Sequence, residues 1–191
     1  MRTCCWPRKE SVLSTVRWQP QLFQRENWVL AMDMTWVTGR IAVGGGIWTA
    51  ENMAAVARAG VTHVLDMQIE FDDTLLAEPF GITVLWNPTI DDFQPKPPEV
   101  FQRGVGFALE ALDQPGSKLL IHCAAGVHRA PMMALAVLCS LSWKLGDAKT
   151  LIENKRPVVD FADVYVESVK NFMEQQAPAE RRITSAGYRK S

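Results

Sequence analysis

No two cysteines of this chain are spaced C-x-x-C, and no apolar run is long enough to cross a bilayer. The four cysteines, Cys4, Cys5, Cys123 and Cys139, therefore suggest neither a structural zinc site nor the disulfide lattice of a small secreted domain. A reducing, cytoplasmic setting is expected. The longest apolar candidate, Ala130 to Trp143, falls short of the roughly 18–20 residues of a membrane span and is broken by Ser140 and Ser142. A basic excess is missing too. The formal net charge is −1, and no local basic stripe compensates, so nucleic-acid binding is not expected. The first residues lack the apolar core of a secretory leader, and Glu10 and Glu26 do not suit a transit peptide. The final Gly-Tyr-Arg-Lys-Ser offers no prenylation cysteine, so a membrane anchor is not expected. Repeats and low-complexity tracts are absent.

What is present is a chain of 191 residues, 48% hydrophobic and 21% charged, the composition of one globular domain. Residues 1–34 show little periodicity and are expected to be an extension. Residues 35–176 form the domain, and 177–191 a polar tail. Strands are predicted at Trp36–Val43, Val61–Met67, Gly81–Trp86 and Lys118–His122. Helices are predicted at Ala50–Ala59, capped by Thr49 and closed by Gly60, and at Glu99–Asp113, Pro131–Leu141, Asp147–Lys155 and Asp163–Gln175. Glu70–Glu78 is a polar connection with room for a short helix. Strands alternating with helices predict an α/β fold with a central, mostly parallel sheet flanked by helices. Ligands of such sheets bind beyond the carboxyl ends of the strands.

One such end carries the most informative stretch, Cys-Ala-Ala-Gly-Val-His-Arg from Cys123 to Arg129. Small residues at Ala124, Ala125 and Gly126 let the backbone curl, and Gly126 accepts a positive φ without strain. A tight strand-to-helix loop aims successive N–H groups inward, and the following helix adds the positive end of its dipole. Pro131 suits a first helical turn, where its missing N–H costs nothing. Such a nest binds a phosphate-sized dianion and favours the thiolate of a cysteine at its mouth. Cys123 is then a nucleophile. The backbone of Ala124, Ala125, Gly126, Val127 and His128 is a phosphoryl cradle, with Arg129 offering a bidentate fork. That set describes phosphoryl transfer through a cysteinyl-phosphate, with no metal and no cofactor called for. The leaving oxygen needs a proton. Asp91 and Asp92, on the proline-rich loop 87–98, are the candidate acids, and adjacency leaves open which one faces the cysteine.

His122-Cys123-x5-Arg129 resembles the signature of the cysteine-dependent protein tyrosine phosphatase superfamily, in its small dual-specificity branch, over roughly Trp36 to Gln175. Within that branch three features are similar to the phosphatases of regenerating liver. They are Arg129-Ala130-Pro131, the Asp91-Asp92 pair followed by prolines, and the runs Gly60-Val61-Thr62, Asp73-Thr74-Leu75 and Gly81-Ile82-Thr83-Val84-Leu85. The resemblance implies a phosphatase acting on phosphotyrosine or phosphoserine/threonine of a phosphorylated protein. It implies Cys123 as nucleophile and Arg129 as phosphoryl ligand. Asp92 is implied as general acid and then base, with Asp91 the fallback, and His122 as a group tuning the cysteine by hydrogen bonding behind the loop.

Three departures matter. No cysteine stands in Leu65-Asp66-Met67-Gln68, where the liver-type relatives carry one able to form a redox disulfide. His128 replaces a common glycine and is expected to line the pocket. Ala130 replaces the Ser or Thr of most relatives. A hydroxyl there would help the sulfur leave, so slow hydrolysis of the intermediate is expected. A low-turnover phosphate-binding or scaffolding protein is therefore one rival, and a phosphatase of a non-protein phosphomonoester another. No lysine lies in 124–128, which argues against a strongly anionic lipid head group.

Elsewhere, Gly44-Gly45-Gly46 lacks the Gly-Lys-Ser/Thr ending of a nucleotide loop and reads as a change of chain direction. Trp48, Trp86 and Trp143 are expected to pack in the core. Cys139 reads as a small apolar residue in a buried helix, and Arg156 as a solvated charge.

Overall fold

The computed structural model describes residues 32–176, so Cys4, Cys5, the extension to residue 31 and the tail from 177 lie outside the described residues. Five strands form one sheet in the order β1-β2-β5-β3-β4. They are β1 (Met34–Trp36), β2 (Ile41–Gly44), β3 (His63–Asp66), β4 (Thr83–Trp86) and β5 (Leu119–His122). The β2, β5, β3 and β4 pairings are parallel, and β1 joins antiparallel at one edge. The helices are α1 (Ala50–Arg58), α2 (Thr74–Ala77), α3 (Pro98–Asp113), α4 (Arg129–Ser140), α5 (Leu145–Lys155) and α6 (Asp163–Gln176). The expected mostly parallel α/β architecture is present.

Alternation along the strands divides the core in two. Leu119 and Ile121 of β5, with Val43 and Leu65, pack against α3, α4, α5 and α6. Leu120, with Ala42 and Val64, packs against α1 and the α2 region. The same alternation puts His122 on the α2 side, and the β3–β5 register places it beside Asp66. β5 is buried along its whole length at the centre of the sheet, so its carboxyl end delivers Cys123 to the middle of that edge.

α4 is buried at every residue from Arg129 to Cys139. It begins two residues before the predicted Pro131, because a proline is accommodated within a first turn whose N–H groups have no helical partner. α1 starts as read from the sequence, with the Thr49 hydroxyl accepting from the Asn52 amide at 3.3 Å.

Two expectations are corrected. Trp36–Val43 is not one strand but a hairpin, with Trp36 opposite Ala42. The Thr38 hydroxyl accepts from the Arg40 and Ile41 amides at 3.2 and 2.9 Å, satisfying the backbone of a turn that the apolar alternation conceals. The tryptophans are not core. Trp48, Trp86 and Trp143 are 47%, 37% and 42% exposed. Trp86 sits on the edge strand β4 and donates its indole N–H to the Gln68 carbonyl at 2.7 Å, while Trp48 packs against Phe71. Among the described residues no helix is long and apolar enough to cross a membrane.

Candidate active site

The loop after β5 is held by its carbonyls. Ala124 O accepts from Gly46 N at 3.0 Å, and Val127 O from Asp160 N at 3.0 Å. Ala125 O and Gly126 O accept from the Arg156 guanidinium at 3.4 and 3.0 Å. His128 O accepts from Met132 N in the first turn of α4 at 2.9 Å. Five successive carbonyls thus point away from the loop's centre. None of the amides from Ala124 to Arg129 donates to another group of the described residues. A loop whose carbonyls are all committed leaves its amides free, the arrangement that an anion nest at a helix N-terminus needs. Cys123, buried at its rim, donates its own amide to the Gly44 carbonyl at 3.4 Å.

Gly126 is a position where glycine is required. Its φ is +65°, and a Cβ there would lie 2.5 Å from Arg156 Nη2 and 2.6 Å from the Gly44 carbonyl. Arg156 is therefore no solvated charge. It is 4% exposed and lies against the loop. The turn at Arg156–Pro157 folds it back, which its charge alone does not reveal.

Arg129 enters from the first turn of α4 and is 3% exposed. Glu70 grips it with both carboxylate oxygens, Oε2 on Nη1 and Oε1 on Nη2, each at 2.9 Å. Nη1 also donates to the Thr89 carbonyl at 3.0 Å. These bonds take one edge of the guanidinium. They leave Nε, buried and without a hydrogen-bond partner, beside one N–H of Nη2. Two adjacent donors on one edge match two oxygens of a tetrahedral anion. The Arg129 hydrogen bonds outweigh the partial burial of Glu70 and hold its carboxyl below the usual range. Glu70 was missed in the sequence, where it reads as one acid of a polar connection.

The two aspartates separate. Asp91 turns to the loop. Its Oδ2 lies 3.1 Å from His128 Nδ1 and 3.6 Å from Arg129 Nε, and its Oδ1 accepts from the Tyr165 hydroxyl at 2.9 Å. Asp92 turns to solvent, where it pairs with Lys96 and accepts from the Gln94 amide, and these contacts lower its pKa, the Lys96 bond most. Tyr165 of α6 fixes this arrangement. Its hydroxyl also accepts from Phe93 N at 3.0 Å, and its ring stacks on Phe93, whose φ is +54°. Burial is the main cause of the Tyr165 pKa of about 12, so the phenol stays a donor. His128 meets Phe93 edge-on at 5.0 Å and has its other ring nitrogen 3.5 Å from Asp160. It lies beside the proline-rich loop.

His122 sits behind the loop, but its ring nitrogens make no hydrogen bond among the described residues. Its Nε2 lies 3.0 Å from Asp73 Oδ2 and 3.5 Å from Asp66 Oδ1, all three side chains fully buried. The expected hydrogen bond toward the cysteine is replaced by a charge cluster, because strand alternation aims the ring at β3 and the start of α2. Burial, the largest cause, pushes Asp66 up to about 7. The His122 charge opposes this and the Asp73 charge adds to it. The same three residues have the spacing of a cation's donors. Ala130 is fully buried directly after Arg129.

Fold and loop define a class: a small α/β domain that presents a Cys-x5-Arg loop at the end of its central parallel strand. Human dual specificity protein phosphatase 26 is 32% identical over 136 residues, covering 70% of this chain and 61% of that protein. Human protein tyrosine phosphatase type IVA 3 is 34% identical over 99 residues, 51% of this chain and 56% of that one. The chain thus spans about three fifths of the length of these relatives. The crystal structure of PTPMT1 in complex with PI(5)P aligns with a TM-score of 0.67 at 20% identity, over 75% of this chain and 96% of that one. No protein-family model matches the chain. The chain is thus similar to dual-specificity and other cysteine-based protein tyrosine phosphatases, and its fold is theirs.

Two outcomes follow from this geometry. Gly126→Ala is expected to lower unfolding stability by about 1–3 kcal/mol in urea titrations, since the new methyl has no space and the wrong backbone sign. The second concerns Asp66. An acid whose folded pKa lies above its unfolded value holds its proton more tightly when folded. Its contribution to stability is therefore present at low pH and lost as pH rises from about 4 to about 7. Asp66→Asn keeps the shape without the titration. Its stability relative to the parent protein should rise across that window, as read by urea unfolding at pH 5 and pH 8. An equal difference at both values would contradict the assignment.

Proposed function

We propose that this chain is a phosphoric monoester hydrolase that acts on phosphotyrosine or phosphoserine/threonine of a protein, in a reducing, cytoplasmic setting. One observation carries the reading: the loop's five carbonyls are bonded outward while a buried edge of Arg129 has an orphaned Nε. Such a pocket stabilises three phosphoryl oxygens as charge builds on them in the transition state. In this reading the Cys123 thiolate attacks phosphorus, and a P–S bond forms as the ester P–O bond breaks. The leaving oxygen takes a proton from an aspartic acid. A water then attacks phosphorus, gives its proton to the same aspartate, and the thiolate departs.

We assign the acid to Asp91 rather than to the Asp92 that the family resemblance implies. Asp91 is the member of the pair in contact with His128 and Arg129, whereas Asp92 is held ionised and outward by Lys96. Ala130 offers no hydroxyl to the departing sulfur, so breakdown of the phosphoenzyme is the slow step. A protein substrate is favoured because the sequence relatives are named as protein phosphatases and the loop carries no lysine.

Rapid-mixing kinetics with p-nitrophenyl phosphate and a phosphotyrosine peptide test this. The expected trace is a burst of about one product per protein, followed by slow turnover. Cys123→Ser should abolish both phases. Asp91→Asn should slow the peptide burst by about a hundredfold or more, with Asp92→Asn within a few-fold of the parent. Ala130→Ser should raise the steady rate and leave the burst unchanged. A folded protein with intact Cys123 and no burst overturns the hydrolase in favour of a phosphate-binding scaffold. A burst with PI(5)P vesicles and none with the peptide overturns the protein substrate.

A further inference from the structure

The Arg156 guanidinium has five N–H groups, and each has an acceptor. Nε donates to Gly126 O at 3.0 Å and Nη2 to Ala125 O at 3.4 Å. Nη1 and Nη2 meet the two oxygens of Asp33 at 2.7 and 2.6 Å, and Nη1 reaches the Thr35 hydroxyl at 3.3 Å. Asp33 is itself located by its backbone, whose carbonyl accepts from Gly45 N at 2.9 Å. A planar, fully bonded fork transmits position in a way a flexible ammonium does not. The residue just before β1 is thereby connected through one rigid plane to two of the five carbonyls that shape the phosphoryl cradle.

We propose that Arg156 and Asp33 form a brace that sets the oxyanion-binding shape of the Cys123–Arg129 loop. Arg156 is a positioning residue, and Asp33 is the group that orients it. This rests on the loop's being an oxyanion cradle, as argued above. Without the fork, the carbonyls of Ala125 and Gly126 lose their donors. Either peptide unit can then rotate, which turns a carbonyl dipole toward the anion and an amide away from it. An anion site built from backbone dipoles is weakened twice by one such flip, through a lost donor and a gained repulsion. The contact has no slack, because Gly126 approaches the guanidinium too closely to accept even a methyl group.

The test uses the full chain with Asp33→Asn, Arg156→Lys and the double variant. Inorganic phosphate is titrated calorimetrically, and p-nitrophenyl phosphate turnover is measured beside it. Both single variants should keep a cooperative thermal transition. Phosphate should bind at least about tenfold more weakly, and kcat/KM should fall by about a hundredfold, the scale of a misplaced catalytic group. The double variant should be no worse than Arg156→Lys alone, since both act through one contact. Folded single variants that bind phosphate like the parent would overturn the brace and leave Arg156 a packing residue. If Arg156→Lys does not fold, Asp33→Asn decides alone, because its side chain is 60% exposed and its replacement keeps the volume. A parent that binds phosphate without turnover, with binding lost in Asp33→Asn, supports the brace and overturns the hydrolase. A parent that binds no phosphate overturns the cradle and the brace together.

Discussion

Everything at the carboxyl edge of this sheet depends on where five carbonyls point. A seven-residue loop with alanine and glycine at its centre has no strong preference of its own, and small side chains only permit the curl. The shape comes from outside. Gly46 after β2, Arg156 after α5, Asp160 beyond it and Met132 in α4 each take one or two carbonyls. Because these donors lie on three separate segments, the loop's shape exists only in the assembled domain. That couples the chemistry of the cysteine to the packing of the whole α/β layer.

Charge at the site is arranged in two pairs and a trio, and the separation is physical. Glu70 occupies the outer edge of Arg129 and fixes the plane of its fork. Asp33 does the same for Arg156. Each buried guanidinium would be costly alone, and each is partnered by a carboxylate reaching from solvent, so neither charge is left uncompensated. The third group, Asp66, Asp73 and His122, is fully buried and incompletely hydrogen-bonded. Burial, with the Asp73 charge adding to it, raises the Asp66 pKa.

Much of this was legible in the sequence. Alternating apolar runs and helical periods located three of the five strands, β3, β4 and β5, because buried parallel strands and amphipathic helices are written in local pattern. The loop was legible because a cysteine, small residues, an arginine and an apolar helix are contiguous. What stayed hidden was long-range. Glu70, Arg156, Asp33 and Tyr165 act through contacts across 59, 30, 123 and 74 residues, and nothing local marks such distant partners. The β1–β2 hairpin was concealed for the opposite reason. Its turn is local, a threonine hydroxyl bonding the amides two and three residues on, in a run Thr38-Gly39-Arg40 that was read as part of one strand.

The two aspartates show how a question that sequence leaves open is closed by a residue far away. Neighbouring side chains on an extended segment point to opposite sides, so only one of Asp91 and Asp92 can face the loop at a time. Composition does not choose between them. Tyr165 does, by donating to Asp91, accepting from Phe93 and stacking on the Phe93 ring, which draws Phe93 into a left-handed conformation. That twist after Asp92 sends its carboxylate outward to Lys96, whose own amide is tied to Ser168 one turn further along α6. Which of the two aspartates faces the loop therefore follows from the face that α6 presents to the proline-rich loop, and the prolines only limit the alternatives.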